Sequence, residues 1–192
     1  MKKLAAQDRS ALIKLASGLK PGSPERVAIL AGLTKQSNDE VNIPGKHIFD
    51  KATVKGNAEV SGNATVAGQA KVYGKAKVTE NAQVYGEAEV WGDAKVSGDA
   101  EVGGNAKVSG DAGVWGGAYV YDRAEVSDDA SVYGKAHVKG DAHVYGYAHV
   151  SGNARVSVDA NISGTAVILG GEWDGSEGKI TSGRWKAPGV PA

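Results

Sequence analysis

Three histidines stand at equal spacing in the second half of the chain. His137, His143 and His149 are six residues apart, and each directly precedes a valine. Imidazole side chains can ligate a metal ion or act as general bases near neutral pH. What these three can do depends on whether the local structure brings their rings together.

Few other side chains in the sequence offer reactive chemistry. There is no cysteine, so disulfides and thiolate metal sites are excluded. The 28 glycines do not follow the spacing of a nucleotide-binding loop ahead of a helix. Asp128 and Asp129 could bind Ca²⁺ weakly together with Asp111, but we favour the interpretation that they are solvated turn residues. The sequence therefore predicts no cofactor and no metal.

A six-residue repeat, x-Ala-x-Val-x-Gly, dominates the sequence from residue 51 onward. Its aliphatic position recurs at every sixth residue from Val54 to Ile168, twenty times without an insertion. Eighteen of these residues are valine, the others are Ile162 and Ile168, and an alanine lies two residues before each. Ile48 extends the phase one unit upstream. Such regularity predicts a solenoid.

The physical meaning of the repeat follows from strand geometry. Residues two apart lie on the same face of a strand, so Ala and Val both point inward. Glycine followed by Asn or Asp supplies the positive φ of a sharp corner. One strand and one corner per unit give a coil with three flat sides, and about 18 residues complete a turn. On this geometry the three histidines face three directions and cannot share one metal ion within a monomer.

The pattern resembles the hexapeptide-repeat family over residues 48–168. It is most similar to bacterial and phage-borne members with Ala-x-Val-x-Gly repeats. The resemblance implies an all-β solenoid, a left-handed parallel β-helix of about six to seven triangular coils. It also implies a homotrimer. The chain departs from the usual family pattern in one respect, because glycine follows the aliphatic residue by two positions instead of one.

The family's commonest enzymatic use is acyl transfer, which implies a catalytic histidine near a subunit boundary and a loop that interrupts the coil. No loop interrupts the repeat between residues 54 and 168, so no cleft is predicted. The alternative is an acyltransferase with its site at a subunit seam, and its candidate catalytic residue is His137, His143 or His149. The zinc-binding carbonic-anhydrase branch uses a different histidine spacing, so the resemblance implies no zinc here.

Outward-facing aromatic residues are the unusual feature of the repeat. Nine lie between residues 54 and 168, none at a core position, and seven directly follow the inward aliphatic residue. Exposed Trp and Tyr clusters mark contact surfaces, although aromatic pairs can also merely stiffen neighbouring turns. Residues 18 apart should stack, so we expect two stacked pairs, Tyr73 with Trp91 and Trp115 with Tyr133. The predicted interface residues are Tyr73, Trp91, Trp115, Tyr133, Tyr85, Tyr119 and Tyr121.

Charged residues also form a row. On one predicted side, the residues preceding valine are alternately basic and acidic, and we expect them to pair between turns. They are Lys71, Glu89, Lys107 and Glu125.

The N-terminal segment differs from the repeat in charge and periodicity. Residues 1–35 carry a net charge of +5 and the remainder carries −5. Apolar residues at helical spacing predict an αα-hairpin, which is too short to stand alone and must cap its own coil or dock on another structural protein. The segment LASGLKPGSPERVAILAGL also resembles the start of some proteins encoded by tailed phages. The predicted docking residues are Leu12, Leu15, Leu19, Val27, Leu30 and Leu33.

The far end of the chain breaks the repeat at Gly170 and Gly171. We interpret Trp173 and Trp185 as part of an irregular strand pair that closes the prism, with ligand stacking as the alternative. The predicted segments are a basic hairpin over 1–35, a linker over 36–47, the β-helix over 48–169 and a C-terminal cap over 170–192.

Taken together, these features favour a non-catalytic scaffold, a rigid rod that self-assembles and presents surfaces. A phage or mobile-element structural part is one setting that fits, in the cytoplasm or the virion. A carbohydrate-binding module that uses the aromatic rows is a weaker alternative. The formal net charge of zero predicts no nucleic-acid partner, and the lack of an apolar run of about 20 residues predicts no membrane partner.

Overall fold

The computed structural model describes residues 47–188 and 190–191. They belong to the second of two units into which the chain divides, Pro44–Ala192. The predicted helical hairpin, its docking residues and nearly all of the predicted linker lie outside the described residues.

Short strands, nearly all of two residues, succeed one another through the described region and form three sheets. Sheet A contains β1 (His47–Ile48), β4 (Thr65–Val66), β7 (Gln83–Val84), β10 (Glu101–Val102), β13 (Tyr119–Val120), β16 (His137–Val138), β19 (Arg155–Val156) and β22 (Glu172–Trp173). Sheet B contains β2 (Thr53–Val54), β5 (Lys71–Val72), β8 (Glu89–Val90), β11 (Lys107–Val108), β14 (Glu125–Val126), β17 (His143–Val144), β20 (Asn161–Ile162) and β23 (Lys179–Ile180). Sheet C contains β3 (Glu59–Val60), β6 (Lys77–Val78), β9 (Lys95–Val96), β12 (Gly113–Val114), β15 (Ser131–Val132), β18 (His149–Val150), β21 (Val167–Ile168), β24 (Arg184–Ala187) and β25 (Val190–Pro191).

Each strand from β1 to β21 pairs in parallel with the strand three further along the chain. From β1 to β18 the register is 18 residues, so that Val90 lies beside Val108 and Val108 beside Val126. The described residues form an all-β parallel solenoid of about seven coils. The solenoid, its three sides and the upstream extension through Ile48 are confirmed.

The interior is filled by the two residues that the repeat places inward. From Val60 to Ile168, every repeat alanine and every aliphatic residue is at most 1% exposed. Alanine suits the narrow prism, where a larger side chain would overpack. Each buried valine contributes about 1.5–3 kcal/mol through removal of its apolar surface from water. The predicted division into inward and outward positions is confirmed.

The corners follow the predicted pattern, with a positive φ two residues after each aliphatic position from Ile48 to Ile162. Gly98 shows why glycine is preferred there. Its φ is 69°, and a Cβ atom at this position would lie 2.8 Å from the backbone nitrogen of Gly116 in the next coil. Side chains at this corner are therefore opposed both by backbone conformation and by the stacking of coils.

Five corners nevertheless carry a side chain at positive φ, and four of these residues are acidic. The carboxylate of Glu80 accepts a hydrogen bond from the backbone N–H of Gly98, with 2.6 Å between Oε2 and nitrogen. The same bond to the glycine 18 residues further on is made by Asp50, Asp122 and Asp128. Val158 is the fifth such residue and has no polar side-chain atom to make the bond.

Parallel pairing continues for one more turn beyond the predicted boundary at residue 169. Strand β22 pairs with β19 at a register of 17 residues, which places Trp173 opposite Val156. One residue fewer in this coil moves the inward position from Asp174, where the six-residue count puts it, to Trp173. The last two strands of the described region, β24 and β25, pair in antiparallel fashion.

Candidate binding surfaces

The three histidines lie on three different sheets. His137 is in β16 of sheet A, His143 in β17 of sheet B and His149 in β18 of sheet C. The prediction that they face different directions is confirmed. No group of three or more His, Cys, Asp or Glu side chains able to hold a metal ion occurs among the described residues.

Each histidine instead contacts a neighbouring outward side chain. The ring of His137 stacks on Tyr119 with centroids 4.8 Å apart, and the ring of His149 meets Tyr133 edge-on at 6.4 Å. Nδ1 of His143 lies 3.4 Å from Oε2 of Glu125. Burial, and then the positive charges of Arg155 and Lys139, lower the pKa of His137 below its usual 6.5. This ring is therefore mainly neutral at pH 7.

The outer surface of sheet B carries the predicted charge row. Nζ of Lys71 lies 2.6 Å from Oε1 of Glu89, and Nζ of Lys107 lies 2.9 Å from Oε1 of Glu125. The hydrogen bond from Lys71 is the main cause that lowers the pKa of Glu89, and the Tyr73 hydroxyl also donates to this carboxylate at 3.4 Å. The predicted alternation therefore forms ion pairs between successive coils.

Aromatic residues 18 apart stack as predicted. The rings of Tyr73 and Trp91 on sheet B are parallel within 3° with centroids 5.8 Å apart. Those of Trp115 and Tyr133 on sheet C are also parallel within 3°, at 4.9 Å. This distance is close to the spacing of neighbouring strands, about 4.8 Å, so the rings stack along the coil axis. Within each pair, one ring face is covered by the partner ring.

Tyr85, Tyr119 and Tyr121 share the outer surface of sheet A, but they do not form a simple stack. Gly103 lies in the coil after Tyr85, and a Cβ atom there would be 2.5 Å from Cζ of that tyrosine. The ring of Tyr85 therefore leans over the next coil and rests on the Gly103 backbone. Its hydroxyl donates a hydrogen bond to Oε2 of Glu101 at 3.3 Å.

An open groove of about 340 Å³ lies on sheet A beside this tyrosine. We call it the tyrosine groove. Its lining residues are Tyr85, Glu101, Gly104, Tyr119, Tyr121, Asp122 and His137.

Sequence reasoning placed the three tyrosines on one side but missed the groove that they form. The feature that could have revealed it is Gly103, a glycine outside the corner phase at an outward position. Gly113 is a second example, because a Cβ atom there would lie 2.5 Å from Cζ3 of Trp115. In both places the missing side chain makes room for a neighbouring aromatic ring.

The two C-terminal tryptophans behave as packing residues. Trp173 is 1% exposed, its Nε1 donates a hydrogen bond to the Gly170 carbonyl oxygen at 2.8 Å, and its ring meets Trp185 edge-on. Burial leaves Trp173 no free face, so ligand stacking by both tryptophans, the alternative considered above, does not fit this geometry.

Comparisons with family models, with curated proteins and with solved structures found no match. The part of the chain that the structure describes contains no helix with the length and apolar character needed to span a membrane.

Proposed function

We propose that the protein is a non-catalytic scaffold, a β-helical rod that associates with further copies of itself through its aromatic outer surfaces. The observation that carries this proposal is the stack of Trp115 on Tyr133 on sheet C, where Trp115 remains 38% exposed. A large aromatic ring fixed by a neighbour and still accessible loses little conformational freedom when a partner covers it.

The packed interior also supports a scaffold. Between Val60 and Ile168 the inward alanine, valine and isoleucine residues are at most 1% exposed, and two-residue strands alternate with tight corners. Stability in such solenoids is approximately a sum over coils and their interfaces. A column of this kind keeps its outward side chains at fixed spacings, which is what a presenting surface requires.

The finer features of the proposal rest on the sequence resemblance. They are membership of the hexapeptide-repeat family, a left-handed coil, a homotrimer and a role as a phage or mobile-element structural part. We propose the N-terminal segment, with its net charge of +5, as the docking arm for a second structural protein.

A seam-located acyltransferase is the weaker proposal. A general base must lie within reach of the proton that it removes. The three candidate histidines lie on separate sheets, and each is engaged with a tyrosine or a glutamate of a neighbouring coil. This arrangement favours structural roles for the imidazoles.

The particle mass in solution tests the scaffold. We expect the full chain to scatter as a multimer, and the double variant Trp115→Ser, Tyr133→Ser to scatter as a smaller particle at equal concentration. Tyr147→Ser is the matched control, because this corner tyrosine is 64% exposed and lies outside the predicted interface. An unchanged mass for the double variant, with its circular dichroism retained, would exclude sheet C as the contact surface.

A further inference from the structure

We propose that the tyrosine groove on sheet A binds a small organic cation, a free alkylammonium compound. The groove brings three phenol rings, two carboxylates and one imidazole around a single open volume of about 340 Å³. This volume lies at the lower end of the range for small-molecule sites, about 300–1,000 Å³. The proposal concerns a ligand site and does not depend on self-association of the rod.

Tyr85 supplies the aromatic surface that a cation needs. Its ring lies against the Gly103 backbone and lines the groove, and 38% of the residue remains exposed. This differs from the stacked pairs on sheets B and C, where ring faces contact each other. A cation within about 6 Å of such a ring centroid is attracted by the negative face of the π system.

Tyr119 and Tyr121 bound the groove on the side away from Tyr85, two coils further along sheet A. Tyr119 is held in place by its stack on His137, at a centroid distance of 4.8 Å. Gly104, which has no side chain, lines the groove in the coil between those of Tyr85 and Tyr119. Several aromatic rings around one volume are the arrangement by which proteins recognise quaternary ammonium groups.

The charges around the groove favour a cation over a neutral ligand. Glu101 and Asp122 both line it, and none of its seven lining residues is Lys or Arg. Hydrogen bonds fix both carboxylates, from the Tyr85 hydroxyl to Glu101 at 3.3 Å and from the Gly140 N–H to Asp122 at 3.2 Å. Burial and the positive charges of Arg155 and Lys139 lower the pKa of His137, so its ring is mainly uncharged at pH 7. These two cations act on His137 but are not among the residues that line the groove.

Titration with choline, followed by calorimetry and by the NMR shifts of the tyrosine ring protons, tests the proposal. The neutral isostere 3,3-dimethylbutan-1-ol has the same shape without the charge. We expect saturable choline binding that shifts the Tyr85 ring signals, and binding of the isostere weaker by about tenfold or more. Equal binding of the two compounds, or no saturable binding of choline, would overturn the proposal.

Variants locate the site. Glu101→Gln should weaken choline binding by about five- to tenfold, since it removes one charge without changing size. Gly103→Ala should abolish binding, because the added methyl displaces the Tyr85 ring. Glu125→Gln, the same change on sheet B, is the control and should bind choline as the unmodified chain does.

Circular dichroism and the thermal unfolding midpoint check that each variant keeps its fold. Weaker choline binding in Glu101→Gln with an unchanged midpoint supports the site. Unchanged choline affinity in both Glu101→Gln and Gly103→Ala places any binding elsewhere and contradicts it. Glucose provides the competing class of ligand, and binding of glucose in preference to choline would also overturn the assignment.

Discussion

Backbone conformation at the corners determines which side chains the repeat accepts. Glycine satisfies the positive φ without strain, and acidic residues there make a hydrogen bond to the next coil that offsets part of their strain. Val158 has neither the conformational freedom of glycine nor a carboxylate to make this hydrogen bond. It is β-branched, has a φ of 55° and is 56% exposed, so its side chain is strained and also presents apolar surface to water.

Val158→Gly is therefore expected to stabilise the protein by about 1–3 kcal/mol, since glycine adopts this conformation freely. The denaturant midpoint of unfolding measures the effect. Val158→Ala is the control, because it removes the branched side chain but keeps a Cβ atom at positive φ, and it should recover only part of the gain. A midpoint that falls in Val158→Gly would show that the strain is compensated elsewhere.

Ion pairs between strands make the stability of sheet B depend on pH. The hydrogen bond from Lys71, together with the charge of Lys71 and the hydrogen bond from Tyr73, lowers the pKa of Glu89 below its usual 4.5. A carboxyl whose pKa is lowered by folding stabilises the folded state above its unfolded pKa. That stabilisation is lost as the pH falls through the folded value.

We expect Glu89→Gln to lose less stability than the unmodified chain on acidification from about pH 6 to about pH 3. Lys71→Met removes the donor and should show the same reduced dependence. The urea midpoint at each pH is the measurement. The effect should be modest, because Lys71 is largely exposed and the pair is screened by solvent. An unchanged pH dependence in both variants would contradict the assignment.

Strands, corners and sheets could be predicted from the sequence because each unit repeats the same local rule. Val102 and Ala100 face inward for the same reason as their counterparts one coil away, so a single period places all of them. Two features escaped prediction because they depend on an exception to the period. Trp173 faces inward because the register there is 17 residues and not 18, and the tyrosine groove forms where Gly103 has no side chain to exclude the Tyr85 ring.

Deleting a whole repeat unit or half of one tests whether the six-residue interior determines the fold of the whole column. All three sides carry the same Ala and Val interior, so removal of residues 93–98, one complete unit, joins Gly92 to Asp99 and keeps every inward residue in phase. We expect this variant to retain its β circular dichroism and cooperative unfolding. It should lose some stability, because outward pairs across the deletion change partners.

Removal of residues 93–95, half a unit, is the matched control and should unfold the neighbouring coils. The inward positions on either side of that deletion no longer stack, which leaves buried valines without partners and strands without parallel neighbours. Circular dichroism and the denaturant midpoint compare the two variants. If both unfold alike, outward pairing and not the six-residue interior determines the fold.

The antiparallel strand β25 has a consequence for growth of the column. A bare sheet end is a template on which another chain can add a strand in the same direction. At the C-terminal end, sheets A and B finish in strands aligned with the column, whereas sheet C finishes in a strand of opposite direction. A second molecule stacked in the same direction would find parallel edges on sheets A and B only, so we expect β25 to oppose continuous head-to-tail stacking on this strand.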